Sequence, residues 1–232
     1  MTRIKGVIFD KDGTLFDFSR TWEAWAVGFL SKIAGSQADA HELGRVIGFD
    51  MAKKRFQPDS MVIAGTPNEV TAALAPFLPK MSTTEILAFI NDEAIASPQL
   101  EAVPLRPLLT DLKNAGLALG VVTNDAEEPA LAHLNSAGIR DCFDFVAGCD
   151  SGFGAKPDPG QLIAFLDHTG LDAEDCVMVG DSTHDLRAGR QAATKCIGVL
   201  TGLASRETLQ PFADEVFPDI GHLPMWIAAQ IR

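Results

Sequence analysis

Short apolar runs and longer amphipathic stretches alternate along most of this chain, and the alternation fails over one long segment. Residues 6–9, Gly-Val-Ile-Phe, form an apolar run with β-branched Val7 and Ile8, the composition of a strand buried on both faces. Similar runs recur at 117–122, 143–147, 176–179 and 196–200. Helical stretches separate them, at 105–115, 129–137, 159–169 and 185–193, and the first three stop at Gly116, Gly138 and Gly170. Apolar strands alternating with glycine-stopped helices predict an α/β fold, a Rossmann-like parallel sheet core with helices on both faces.

Residues 19–97 break this rhythm and are too long for a structureless loop, so they predict an insertion. Trp22, Trp25, Ala26, Phe29, Leu30 and Ile33 recur at the spacing of a buried helical stripe. Thr66-Pro-Asn-Glu69 and Ser82-Thr-Thr-Glu85 are capping boxes that start two further helices, the first with Pro67 at its first helical position. The expected organisation is a core of residues 1–18 and 98–232 carrying an inserted α-helical cap domain, residues 19–97.

Composition narrows the class. With 47% of 232 residues hydrophobic, the chain has enough apolar mass for a substantial core. No apolar run reaches the length of a membrane span, and the N-terminal residues enter a strand without a secretory h-region, so a cytoplasmic protein is expected. A net charge of −12 argues against nucleic acid or an anionic membrane as the main partner. The four cysteines, Cys142, Cys149, Cys176 and Cys196, have neither CxxC nor tight zinc spacing and read as inert thiols.

Candidate chemistry gathers at strand ends. In an open parallel sheet, residues just beyond the carboxyl ends of strands share one crevice, which brings Asp10, Thr123 and Asp181 together. Asp10 is a candidate nucleophile, because a carboxylate attacking phosphorus divides one slow step into two easier ones. Asp12 lies one turn further on and is placed to protonate the leaving alcohol and then to deprotonate water. Gly13 lets the backbone turn so that amide N–H groups can face phosphate oxygens. Thr123 and Asn124 offer a hydroxyl and an amide to the same oxygens. Lys156, held out of helix by Pro157, can neutralise them. Magnesium takes hard oxygen ligands, so Asp10 and Asp181 suit it, with Asp185 on the following helix as a direct or water-mediated ligand. Each piece alone also reads as an ordinary acidic turn, helix cap or solvated lysine; their joint order is the signal. In the insertion, Arg20 and Arg55 are the candidate contacts for an anionic leaving group.

Asp10-Lys-Asp-Gly-Thr14, Thr123, Lys156 and Gly180-Asp-Ser-Thr-His-Asp185, with a helical cap between the first two, closely resemble the haloacid dehalogenase superfamily of phosphohydrolases. The resemblance implies a nucleophile at Asp10, a general acid/base at Asp12, and phosphate and charge stabilisers at Thr123 and Lys156. It also implies magnesium held by Asp10, Asp181 and the backbone carbonyl of Asp12, with Asp185 in support. The substrate class so implied is a small phosphorylated metabolite, phosphoglycolate-like or a sugar phosphate, with phosphoglycolate one candidate among several. Asp10-Lys-Asp-Gly-Thr-Leu-Phe-Asp17 resembles the phosphoglycolate phosphatase-like branch, with two departures. Relatives often carry lysine where this chain has Asp125, and glycine where it has Thr194. A dehalogenase needs neither the proton shuttle nor the metal acids, and a phosphonate hydrolase lacks an acid at position 12. A phosphomutase shares the same core and differs in returning the phosphoryl group to a bound sugar phosphate. A phosphometabolite-binding module without chemistry would lack at least one of Asp10, Asp12, Lys156 and Asp181.

Overall fold

The computed structural model describes residues 4–230. Strand β1 (Gly6–Phe9) leads into α1 (Phe18–Ile33), α2 (Gln37–Val46), a hairpin of β2 (Phe49–Asp50) and β3 (Arg55–Phe56), α3 (Pro67–Leu74) and α4 (Thr83–Ile95). The chain then resumes the predicted alternation. It runs through α5 (Leu105–Asn114), β4 (Ala118–Val122), α6 (Glu127–Ser136), β5 (Phe145–Ala147), α7 (Gly160–Thr169), β6 (Cys176–Gly180), α8 (Thr183–Gln191) and β7 (Lys195–Val199). It ends in α9 (Arg206–Leu209), β8 (Glu215–Phe217) and α10 (Leu223–Ala229).

Six strands form one sheet in the order β5-β4-β1-β6-β7-β8, every pairing parallel. Successive strand residues face opposite sides, and both sides are covered. Val7, Phe9, Leu119, Val121, Val177 and Val179 pack with Leu105, Leu109 and Leu112 of α5 and with Leu223 and Ile227 of α10. On the other side, Ile8, Val122, Cys176 and Met178 pack with Leu162 and Phe165 of α7 and Ala188 of α8. This two-sided burial is why the strands read as continuous apolar runs.

Residues 18–94 build a separate apolar cluster. Its centre is the α1 stripe, in which Trp25 stacks on Phe29 at 4.9 Å between centroids and meets Trp22 edge-on at 5.2 Å. Both predicted capping boxes form: Thr66 caps α3 and Ser82 caps α4, each in reciprocal contact with the glutamate three residues on.

Six of these elements were not foreseen. Strand β8 has three residues at the sheet edge and buries only Val216, and the hairpin strands β2 and β3 have two residues each. Helix α2 buries only Ala40, Leu43 and Gly44, too narrow a stripe to stand out from its polar surroundings. Helices α9 and α10 are four and seven residues long. All four cysteines are free thiols, three of them buried.

The departure at Thr194 has a local explanation. The left-handed residue after α8 is Ala193, at φ +60°, while Thr194 is buried and its hydroxyl donates to the carbonyl of Gly189 at 3.1 Å. A β-carbon in this region costs on the order of 1 kcal/mol. Ala193→Gly is therefore expected to raise the urea midpoint of unfolding by an amount equivalent to about 0.5–1 kcal/mol; an unchanged or lowered midpoint contradicts the strain.

Candidate active site

Strands β4, β1 and β6 are neighbours at the centre of the sheet, and the chain leaves their carboxyl ends at Thr123, Asp10 and Asp181. Lys156 comes from the loop between β5 and α7, and Asp185 from the first turn of α8. All five are buried. The Lys156 ammonium donates to Asp10 Oδ1 at 2.6 Å and to the Val122 carbonyl at 2.9 Å, and it pairs with Asp185 Oδ1 at 2.7 Å. Its three hydrogens are thereby committed, and although burial works to lower its pKa, Asp10 and Asp185 hold it above the ordinary lysine value.

Asp10, Asp181 and Asp185 each offer an oxygen within 4.8 Å of the others. Burial raises the Asp10 pKa to about 7; Lys156 opposes that rise, while Asp185 and Asp12 add to it. Asp181 is also pushed well above the ordinary range, by burial first and then by Asp10 and Asp185. Three carboxylates facing one lysine are short of positive charge. A hard divalent cation fits that donor set, because its charge relieves the repulsion and all the donors are oxygen.

The backbone around the cluster has little freedom. Gly13 sits at φ +83°, and a Cβ there would fall 2.4 Å from the Asp181 carboxyl. A Cβ on Gly202, in the loop after β7, would overlap Asp181 Oδ2 at 1.6 Å. Neighbouring Thr201 donates its hydroxyl to the Gly13 carbonyl at 2.5 Å, joining the two loops that enclose Asp181. Thr201 and Gly202 were missed in the sequence, since a Thr-Gly pair after a strand reads as an ordinary turn.

Asp185 has two tasks. Its Oδ2 accepts from the Ser182 amide and hydroxyl in the box that caps α8, while Oδ1 faces Lys156. Ser182 is the N-cap, so the helix-capping reading and the acid-cluster reading both hold for this segment.

Asn124 differs from its expected place as a phosphate contact. Its Nδ2 donates to the Lys156 carbonyl at 2.8 Å and to the Ala64 carbonyl at 2.7 Å, and its Oδ1 accepts from the Lys156 amide at 2.8 Å. The side chain is fully used in fixing the Lys156 backbone and tying the 61–65 loop to the sheet. Thr123 Oγ1 accepts from the Asp125 amide at 3.1 Å.

Arg20 and Arg55 are not brought to the site; both are exposed and neither lines the cleft. Asp17 caps α1 through the Arg20 amide, and with Phe18, Trp22 and Trp25 facing inward, residue 20 falls on the opposite face of the helix. On β3, Phe56 is buried, so Arg55 points outward by the alternation of a strand.

A second buried network lies behind Asp12. Lys11, with no exposure, pairs with Asp12 Oδ2 at 2.7 Å and Asp125 Oδ2 at 3.2 Å, and its ammonium lies 3.0 Å from His133 Nδ1. His133 Nε2 lies 2.7 Å from the Ala94 carbonyl at the end of α4. Burial, followed by Lys11, lowers the His133 pKa to about 4. The ring is therefore neutral, donating from Nε2 and accepting at Nδ1. Asp125 is the acid that stands where relatives often carry lysine, and here it is balanced by Lys11. The remaining Asp12 oxygen, Oδ1, is buried without a partner, and Asp12 lines the cleft.

Among the described residues no helix is long and apolar enough to cross a membrane. Comparison with known proteins agrees with the geometry. The family model for haloacid dehalogenase-like hydrolases matches residues 4–193. A probable phosphatase, IndB, of Dickeya dadantii is 29% identical over 214 residues, covering 92% of this chain and 88% of that protein. A phosphoglycolate phosphatase of Yersinia pseudotuberculosis is 30% identical over 202 residues, covering 86% of this chain and 82% of that one. A solved structure described as a "predicted phosphoglycolate phosphatase" of Haemophilus somnus superposes with a TM-score of 0.74 at 22% identity, over 97% of this chain and 99% of the other. With a parallel sheet that gathers its acids at the ends of β1 and β6, and a family match spanning most of its length, the chain belongs to the haloacid dehalogenase-like hydrolases, as a hydrolase of phosphate esters.

Proposed function

We propose that this protein is a magnesium-dependent phosphatase that hydrolyses a small phosphorylated metabolite through an aspartyl-phosphate intermediate, with residues 19–97 acting as a cap over the core. The observation that carries the reading is the Asp10 carboxylate, buried at the end of β1 with one oxygen 2.6 Å from the Lys156 ammonium and a second acid, Asp12, lining the same cleft.

In this reading an Asp10 oxygen attacks phosphorus as the bond to the leaving oxygen breaks, and Asp12 gives that oxygen a proton. In the second half Asp12 takes a proton from water, the water oxygen attacks phosphorus, and the Asp10 carboxylate leaves. The unpartnered Asp12 Oδ1 suits both transfers, while Lys11 holds Oδ2 and so fixes the carboxyl plane. Lys156 bears on the charge of the phosphoryl oxygens and keeps Asp10 from being repelled by Asp185. Asp10, Asp181 and Asp185, with the Asp12 carbonyl, would hold the magnesium ion. Bound there, the ion would supply positive charge to the acids and to the phosphoryl oxygens. Burial excludes competing water, and the Ala64 contact of Asn124 lets cap position reach the Lys156 loop.

Two sets of outcomes test this. Asp10→Asn keeps the shape and loses the nucleophilic charge, so phosphate release from para-nitrophenyl phosphate is expected to fall by several orders of magnitude with the fold intact by circular dichroism. Asp12→Asn is expected to lose about a hundredfold or more; wild-type rates from either variant contradict the assigned roles.

The metal makes a prediction that needs no turnover. Metal-free protein carries unrelieved repulsion among the three acids, so Asp181→Asn is expected to raise its melting temperature. Each kcal/mol relieved corresponds to about 2–4 °C in a chain of this size. Magnesium is expected to raise the melting temperature of the wild type and to have little effect on that variant. A magnesium increment equal in both proteins removes Asp181 from the metal site.

A further inference from the structure

The cleft above Asp10 has a cavity volume of about 70 Å³, and its two walls differ in kind. The core wall carries Asp10, Asp12, Asp125, Asp181 and Asp185, with Lys156 and His184 as the basic side chains lining it. The cap wall has no charged side chain: Phe18, Trp22, Trp25, Val62, Ile63 and Val70 represent it, and its one hydroxyl, on Thr66, is committed to Glu69 in the box that caps α3. Trp22 and Trp25 are 8% and 4% exposed, both rings line the cleft, and among the described residues neither indole Nε1–H has an acceptor. Buried indole donors ordinarily find one.

Charge makes the same point. With Asp12 holding the proton it donates, Lys156, Lys11 and a divalent ion only balance the remaining carboxylates, so the arriving phosphoryl group leaves the site with an excess of negative charge. A second anion on the leaving group would be desolvated against an apolar wall in a field of its own sign. The two arginines within residues 19–97 that sequence reasoning favoured, Arg20 and Arg55, are exposed and away from the cleft. The contact of Asn124 Nδ2 with the Ala64 carbonyl, at 2.7 Å, seats the 61–65 loop on the core, so the two walls face one another across the cleft.

We infer that the substrate is a phosphate monoester of an uncharged, apolar or aromatic alcohol, and that a carboxylate-bearing ester such as phosphoglycolate is a poor one. The inference rests on the phosphatase reading and specifies the substrate of that same site. The cap wall selects through ring and methyl contacts, while the core wall handles the phosphoryl group.

The test compares benzyl phosphate with 2-phosphoglycolate on the wild-type protein in magnesium buffer. Both leaving groups are primary alcohols, so their chemistry is matched more closely than with a nitrophenol, and para-nitrophenyl phosphate serves only to report that the site is active. The expected kcat/KM for benzyl phosphate exceeds that for 2-phosphoglycolate by at least about tenfold, mainly through KM. Val62→Arg places a cation on the half-exposed loop of the cap wall, at the margin of the cap core, and is expected to shift the ratio by about tenfold or more toward 2-phosphoglycolate. Wild-type preference for 2-phosphoglycolate, or a ratio that Val62→Arg leaves unmoved, overturns the inference and leaves the phosphatase reading standing. Silence toward all three esters, with magnesium present and the fold intact, removes both.

Discussion

The Lys156 ammonium is the interaction on which the centre of this molecule depends. Three carboxylates buried within a few ångströms of each other cannot all stay ionised without positive charge, because desolvation and mutual repulsion both favour protonation. Lys156 touches two of them, Asp10 and Asp185, and anchors itself to the Val122 carbonyl at the end of β4. Its backbone is in turn gripped on both sides by the Asn124 amide. One lysine thus links β1, β4, the loop before α7 and the start of α8. A second lysine, Lys11, serves Asp12 and Asp125 in the same way one layer back.

The fold makes that concentration of charge possible. Strands β4, β1 and β6 are covered on both faces by apolar side chains, so polar groups are confined to the strand ends, and the site's acids collect at the carboxyl ends. The cap segment packs a core of its own around α1 and meets the rest of the chain where α4 packs on α6, with hydrogen bonds from Asn124 to Ala64 and from His133 to Ala94. A parallel-sheet core beside a separately packed apolar cluster suits the proposed reaction, in which one part of the substrate is constant and the other is selected.

What could be read from sequence follows the range of the signals. Five sheet strands and the helices between them were legible because two-sided burial leaves unbroken apolar runs, and helix stops at Gly116, Gly138 and Gly170 need only local conformation. The positions of Asp10, Asp181, Lys156 and Thr123 followed from strand ends and a family resemblance. Relations set by distant pairing were not legible. Asp125 looked like a departure until Lys11, 114 positions earlier, was found beside it. Asn124 looked free for phosphate because nothing local announces its bonds to Lys156 and Ala64. Arg20 and Arg55 were chosen for charge alone, whereas the phase of α1 and the alternation of β3 turn them outward.

The central claim is that the Lys156-held carboxylate of Asp10 takes the phosphoryl group itself. Its most direct measurement is rapid acid quench of the magnesium-loaded protein turning over para-nitrophenyl phosphate, followed by peptide mass analysis. The account predicts a phosphoryl group on the peptide containing Asp10, accumulating in Asp12→Asn if its first step remains faster than its second, and absent from Asp10→Asn. Turnover with no phosphoryl adduct at Asp10 in any of these proteins, or an adduct on another residue, would contradict it.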